Sequence, residues 1–323
     1  ETGPVVCNGE NNGAATVTVT GGNAPYSYVW NNSASTAASA NDLVAGLHTI
    51  TITDNKGCQT SATVTINEPE VLTCNANQDS PVTINGNSDG AATVTPAGGN
   101  GGYTYSWDNG ETTATATALS AGSHSVTVTD SKGCTTTCNV LITEPGALFC
   151  SVIMDSPVVC FGESNGAATV TATEGVAPYS FAWDNGETTQ TATTLSAGLH
   201  SVTVTDANGA TTSCDITITQ PNVLAASAVE NSPVVCNGEN NGSATVTVTG
   251  GNAPYSYVWD NSASTAATAS DLVAGLHTIT ITDNKGCQTT TTVTINEPEV
   301  LTASAVEDSP VVCNGENNGS ATV

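Results

Sequence analysis

The 323 residues carry 29 Asp plus Glu against 3 Lys and no Arg, a formal net charge of −26. Such a chain lacks the cations that neutralise phosphates, which excludes nucleic-acid binding, and an anionic membrane surface repels it too. No apolar run approaches a membrane span of roughly 20 residues, and no signal peptide opens the sequence. Thr alone supplies 55 residues, and 38% of the chain is hydrophobic, so composition predicts a folded chain without one large core. Eleven cysteines without a CxxC motif point to an oxidising, extracellular setting.

Self-comparison decides the architecture. The segment Pro4–Trp30 returns at Pro233–Trp259 with one change, Ala14 to Ser243. Weaker copies start at Pro81 and Pro157 and a short one at Pro310, so the Pro-to-Pro spacings are 77, 76, 76 and 77. That period exceeds a solenoid coil and suits small domains, each with its own core.

Within the first period, Ala15–Thr20, Tyr26–Trp30, His48–Thr53 and Ala62–Ile66 alternate apolar and polar residues. Alternation puts one face on a core and the other in water, predicting half-buried antiparallel strands. Turn residues separate them at Asn11-Asn12-Gly13, Gly21-Gly22-Asn23, Asp54–Gly57 and Glu68-Pro69. No amphipathic helical period is present. The expected fold is all-β, a tandem array of immunoglobulin-like antiparallel sandwiches. Glu68-Pro69, Glu144-Pro145, Gln220-Pro221 and Glu297-Pro298 close successive last strands. The expected domains are therefore 1–69, lacking its first strand, then 70–145, 146–221 and 222–298, with 299–323 the start of a further repeat. Glu1-Thr2-Gly3 line up with Glu230-Asn231-Ser232.

Cysteines offer a wiring expectation. Cys74 with Cys138, and Cys150 with Cys214, occur together 64 residues apart. Cys7 with Cys58, and Cys236 with Cys287, occur together 51 apart. Matched appearance predicts four bridges inside domains. Cys134 and Cys160 are left over, facing Ile84 and Ala210 at the partner positions; they either bridge the second and third domains or stay as thiols. The partner of Cys313 falls beyond the last residue. If 84 and 134 are partner positions as 74 and 138 are, the opening segment must reverse direction at Asp79-Ser80-Pro81.

Residues that suggest chemistry have plainer readings. His48, His124, His200 and His277 hold one repeat position, a module apart, so they cannot share a metal; no Ser or Cys stands at a spacing that marks a nucleophile. Trp30, Trp107, Trp183 and Trp259 end strands with the aromatics on one face, which suits core packing better than stacking on carbohydrate. Asp54, Asp130, Asp206 and Asp283 open turns in which Asp bonds its own backbone; Lys56, Lys132 and Lys285 lie in those turns, where a local ion pair is expected. Calcium at the domain junctions, held by Glu68, Glu70, Glu230 and Glu307 with backbone carbonyls, is the sharper alternative. Thr rows belong on wet strand faces, and a small twisted sandwich lacks the flat face that ice binding needs. Asp108–Glu111 and Asp184–Glu187 are hairpin tips, not the paired acids of a glycosidase cleft. No catalytic, cofactor or metal residue is assigned.

The constellation P-V-V-C-N-G-x-x-N-G-x-A-T-V, G-G-x-x-P-Y-S-Y-x-W, A-G-x-H-x-I-T-I-T-D-x-K-G-C and I-x-E-P resembles the SprB repeat, and more loosely the polycystic-kidney-disease type of sandwich domain. The resemblance runs from Pro4 to Val323. It implies a stretch of a very large, non-enzymatic surface adhesin of gliding bacteria, exported by type IX secretion. The partners then expected are neighbouring repeats of the chain and an external surface or polysaccharide. Pro81–Ile84 departs by losing the first Cys and Ala210 by losing the second, for which Cys74–Cys138 and Cys150–Cys214 look like compensation. At roughly 35 Å per sandwich, four would span about 140 Å. A module binding a glycan or ion at its loops, and a spacer of a secreted hydrolase, are the other readings.

Overall fold

The computed structural model describes all residues from Glu1 to Val323. Every regular element is a strand, and no helix is long and apolar enough to cross a membrane. Contacts gather the chain into two compact units. One comprises Glu1–Phe149 with Thr173–Tyr179 and Thr205–Thr211; the other comprises Cys150–Ala172, Ser180–Val204 and Thr212–Val323.

The first repeat forms β1 (Gly13–Thr16), β2 (Ser27–Trp30), β3 (Ser39–Leu43), β4 (Gly46–Thr53) and β5 (Gln59–Ile66). β1 pairs with β3 in one sheet; the other sheet runs β2-β4-β5. The second repeat adds an opening strand, giving β6 (Thr73–Ser80), β7 (Gly90–Ala97), β8 (Thr104–Trp107), β9 (Thr115–Leu119), β10 (Gly122–Thr129) and β11 (Thr135–Ile142). Its sheets run β6-β7-β9 and β11-β10-β8, all pairings antiparallel.

The third repeat repeats this pattern with β12 (Phe149–Ser156), β13 (Gly166–Thr173), β14 (Ser180–Trp183), β15 (Thr191–Leu195), β16 (Gly198–Thr205) and β17 (Thr211–Ile218). The fourth has β18 (Ala225–Ser232), β19 (Gly242–Thr249), β20 (Tyr255–Trp259), β21 (Thr268–Leu272), β22 (Gly275–Asp283) and β23 (Gln288–Ile295). β24 (Val306–Ser309) and β25 (Ser320–Thr322) pair beyond it. Two facing antiparallel sheets per repeat make this an immunoglobulin-like all-β sandwich. The short strand β3, Ser-Ala-Asn-Asp-Leu, is absent from the sequence reading because it carries no β-branched or aromatic residue, and its equivalents β9, β15 and β21 add only Thr.

Each core forms where the inward faces of the two sheets meet. In the second repeat Val82, Val94, Trp107, Leu119, Val126, Val128 and Ile142 are buried together, and Ala76, Tyr103 and Tyr105 pack on them. Each large apolar side chain removed from water contributes about 2 kcal/mol. The four Trp are among the most buried residues, at 3–4% exposure, and each indole N–H finds a backbone carbonyl, as Trp107 does at Thr113 O, 2.9 Å. That places them in the core rather than on a sugar-stacking surface. Small residues let the sheets close: a Cβ on Gly90 would lie 2.6 Å from Ile142 Cγ2 and 2.9 Å from the Leu119 carbonyl.

The opening segment does not reverse at Asp79-Ser80-Pro81. Cys74 is bonded to Cys138, Gln78 accepts from Thr143 N at 2.9 Å, and Asn85 Nδ2 donates to Pro145 O at 3.0 Å. Both chains therefore advance together along the sandwich. The consequence is that the first and second cysteine positions of one repeat lie at its opposite ends.

Candidate functional site at the repeat junctions

In the first unit the link Glu68-Pro69-Glu70-Val71-Leu72 leads into β6. Gly99 N donates to Glu70 O at 2.9 Å, and Leu72 packs against the Gly98-Gly99 loop. Asp130 anchors that loop. Its carboxylate accepts from Asn100 N and Nδ2, both at 2.8 Å, from Lys132 N at 2.9 Å and from Cys134 N at 3.0 Å. Burial pushes the Asp130 carboxyl up, but the bonds from Asn100, Lys132 and Cys134 outweigh it and hold the pKa at about 2. Asp54 is held at about 2 as well, by the Asn23 side-chain amide first and by backbone N–H groups of the same turn, against a raising effect of burial. The Lys contribution to this turn is a backbone N–H.

Across the link, the tip Val6–Gly9 of the first repeat is fixed by its own Glu-Pro. Asn8 Nδ2 donates to Pro69 O at 2.9 Å and Gly9 N to Glu68 Oε2 at 2.8 Å. The second repeat then grips that tip. Asn100 Nδ2 donates to Val6 O at 3.0 Å, and Cys134 is bonded to Cys7 with Cα atoms 5.6 Å apart. In the second unit the same set recurs. Asp283 gathers Asn252, Lys285 N and Cys287 N, Asn252 Nδ2 reaches Val159 O at 3.1 Å, and Cys287 is bonded to Cys160 with Cα atoms 5.7 Å apart.

The expected Cys7–Cys58 and Cys236–Cys287 bridges are therefore corrected. The two positions sit at opposite ends of one repeat, so the first-position cysteine meets the second-position cysteine of the following repeat. Cys134 and Cys160 are not joined to each other; each is bonded across a junction, to Cys7 and Cys287. Cys58, Cys236 and Cys313 are exposed thiols. Cys74 is bonded to Cys138 and Cys150 to Cys214, each within a repeat.

Ile84 and Ala210, which seemed two separate losses, are the two halves of one missing bridge. Val176 replaces the junction Asn there too, and Asn208 Nδ2 donates to Thr83 O at 2.7 Å instead.

The expected junction carboxylates do not converge on a cation site. Glu68 is spent on Gly9 N, Glu230 on Asn296 N and Nδ2 at 2.8 and 2.6 Å, Glu70 offers its carbonyl to Gly99, and Glu307 lies exposed in β24. No three His, Cys, Asp or Glu side chains gather into a metal-holding set.

The histidines occupy the other end of each hairpin. His124 Nδ1 faces Asp108 Oδ1 at 2.9 Å and its Nε2 faces Ser120 O at 2.9 Å; His200 repeats this with Asp184 and Ser196 O at 2.9 and 3.0 Å. His277 faces Asp260 at 3.2 Å and Val273 O, while His48 faces Asn31 O and Val44 O. Contrary to the spacing argument, Ser120 and Ser196 hydroxyls come within 3.5 and 3.4 Å of the imidazoles. The trio does not work as a nucleophile relay. Each Nε2 is already committed to a backbone carbonyl, and Val44 and Val273 replace Ser in the other two repeats. The hairpin acids are structural as well: Glu111 takes Thr117 N and Ala118 N, both at 3.0 Å.

Comparison with the curated proteins finds no match for the sequence. Among solved structures the chain is similar to a tetra-tandem repeat in the extending region of a large adhesion protein. That likeness is 14% identical, covers 91% of this chain and 98% of that one, and has a TM-score of 0.29. It is similar to the bacterial integrin-binding protein invasin at 14% identity, covering 90% and 78%, TM-score 0.31. It is also similar to immunoglobulin domains 1–5 of Sidekick-1 at 10% identity, covering 89% and 78%, TM-score 0.28. The profile of the family described as SprB repeat matches residues 1–35, 76–112, 156–188 and 228–264. These four matches fall on the opening parts of the four successive sandwiches, so similarity to the SprB repeat recurs once in each along the chain.

Proposed function

We propose that this chain is a load-bearing stalk segment of a cell-surface adhesin, in which each SprB repeat is one sandwich module ending near Pro69, Pro145, Pro221 or Pro298. The observation that carries the reading is the covalent bond across a junction. Tension applied along the chain passes from Cys7 to Cys134, and from Cys160 to Cys287, through sulfur. Residues 8–133 and 161–286 are then spared full extension. Such bridges persist in an oxidising, extracellular setting. A charge of −26 keeps neighbouring stalks apart. Service in gliding motility and contact with an external polysaccharide surface are the finer parts of this proposal.

Single-molecule extension of the whole chain between its ends tests it. Held by its bridges, the chain should stretch to roughly one fifth of the length it reaches after reduction, since only residues outside the two loops can extend at about 3.4 Å each. Equal lengths before and after reduction contradict load-bearing through sulfur. Binding of the same chain to particular sugars on a glycan array would favour a recognition module over a stalk.

A further inference from the structure

The junction between the second and third repeats is built differently from the two on either side of it. No sulfur crosses it, because Ile84 and Ala210 stand where Cys7 and Cys134 stand one junction earlier. It is held by the bond from Asn208 Nδ2 to Thr83 O at 2.7 Å and by a bond from Gly175 N to Gly146 O at 3.0 Å. Leu148 adds an apolar contact, its Cδ1 lying 3.1 Å from where a Cβ on Gly175 would sit. All these residues belong to the first compact unit. Tension passing from the second repeat to the third therefore runs through a single backbone, out of β11 and into β12.

Both strands lie at sheet edges, β11 beside β10 and β12 beside β13. An edge strand has a hydrogen-bonded neighbour on one side only, so a pull on its end peels it bond by bond. Here the peeling meets covalent bonds. Cys138 in β11 is bonded to Cys74 in β6, and Cys150 in β12 to Cys214 in β17, each partner being an edge strand of the facing sheet. Only the eleven residues Asn139–Phe149 lie between the two pins. The pinned repeats are the two that flank the sulfur-free junction; in the first and fourth repeats Ala62, Ala226 and Thr291 occupy pin positions.

We propose that this junction is an extensible joint that opens under tension, with Cys74–Cys138 and Cys150–Cys214 as its two stops. The inference rests on the stalk reading. Opening breaks the Asn208 and Gly175 bonds, lifts Leu148 and draws out the link, then peels β11 back to Cys138 and β12 forward to Cys150. From Cys138 to Cys150 the chain takes twelve steps, so the gain stays below about 40 Å at roughly 3.4 Å per step. Beyond that point β11 moves only if it drags β6, and β12 only if it drags β17. Cys74 and Ala76 of β6 pack on the core of the second repeat, so further extension takes that core apart. Without the pins nothing halts the peeling before the crossing bridges at Cys134 and Cys160, twenty-six steps or about 90 Å of chain.

The test is a force ramp on the whole unreduced chain, compared with two variants. Ile84→Cys with Ala210→Cys restores a bridge at the positions of Cys7 and Cys134, checked by non-reducing mapping. The parent should show a low-force step of less than about 40 Å that the bridged variant lacks. Replacing Cys74, Cys138, Cys150 and Cys214 together by Ala should lengthen that step towards about 90 Å. The bridged variant keeps every native cysteine, so its result stands even where the fourfold variant does not fold. Identical traces for parent and bridged chain, a step of unchanged length without the four cysteines, or new cysteines that do not pair on oxidation would each overturn the proposal. The stalk reading fails separately, through equal parent lengths before and after reduction.

Discussion

Alanine at Gly250 and at Gly21 is the same substitution in the same local sequence, yet the two should differ severalfold in cost. Both glycines have positive φ, +72° and +80°, so Ala costs about 1–2 kcal/mol at either on backbone grounds. At Gly21 nothing lies within 4 Å of the added Cβ, and the cost ends there. At Gly250 the Cβ would sit 1.9 Å from Val223 O and 2.7 Å from its carbon, both backbone. The Val223-Leu224 link must move by more than 1 Å. That movement breaks the bond from Gly251 N to Asn222 O, 2.9 Å long, worth about 1 kcal/mol. It also lifts Leu224 from its seat, worth about 2 kcal/mol. The total is about 4–5 kcal/mol against about 1–2.

Hydrogen exchange read on fragments of β23 and β5, which differ in sequence, separates the two repeats. Gly250→Ala should speed exchange in β23 about 100-fold more than Gly21→Ala speeds it in β5. Equal effects would refute the claim that the incoming link packs on the paired glycines.

Three further outcomes follow from the same geometry. Replacing Cys74 and Cys138 together by Ala should destabilise the second repeat by about 4 kcal/mol in the loop-closure estimate for a 64-residue separation, seen as an early calorimetric transition that the parent chain lacks. Asp54 and Asp130 titrate at about 2 folded against 3.8 for the free side chain, so their contribution is complete above pH 4 and is lost as pH falls from 4 towards 2. Acid unfolding followed by circular dichroism should show that loss, and Asp130→Asn should flatten it for the second repeat. Glu144→Gln should change thermal stability by less than about 1 kcal/mol, because Gln220 performs the same task in the third repeat, accepting from Gly162 N at 2.9 Å as Glu144 accepts from Gly86 N at 2.7 Å.

Alternation and turn residues were enough to find the sandwich, the Trp-centred core and the period, because period-two burial is written residue by residue. Strand extent was not. Ala15–Thr20 reads as a strand, yet β1 stops at Thr16, whereas the equivalent β19 runs to Thr249 paired along β18. The cysteine wiring misled for a related reason. A period assigns residues to equivalent positions but says nothing of which end of the sandwich they occupy. The recurrence of the 51-residue spacing at Cys7 and Cys236 came from one nearly copied block and counted once, not twice. The stronger signal lay in the joint loss of Ile84, Val176 and Ala210, three positions that meet only when the pairing crosses from one repeat to the next.

Digestion of the unreduced chain at its glutamates reads the bonds themselves. It spares the Glu68-Pro69 and Glu144-Pro145 bonds and releases Cys7 in Thr2–Glu10, Cys58 in Asn11–Glu70, Cys74 in Val71–Glu111 and Cys134, Cys138, Cys150 and Cys160 in Thr112–Glu163. The junction bridge predicts Thr2–Glu10 and Val71–Glu111 both attached to Thr112–Glu163, which Cys150 and Cys160 tie to the fragments of Cys214 and Cys287, with Asn11–Glu70 released as a free thiol peptide. Recovery of Thr2–Glu10 attached to Asn11–Glu70 would contradict it.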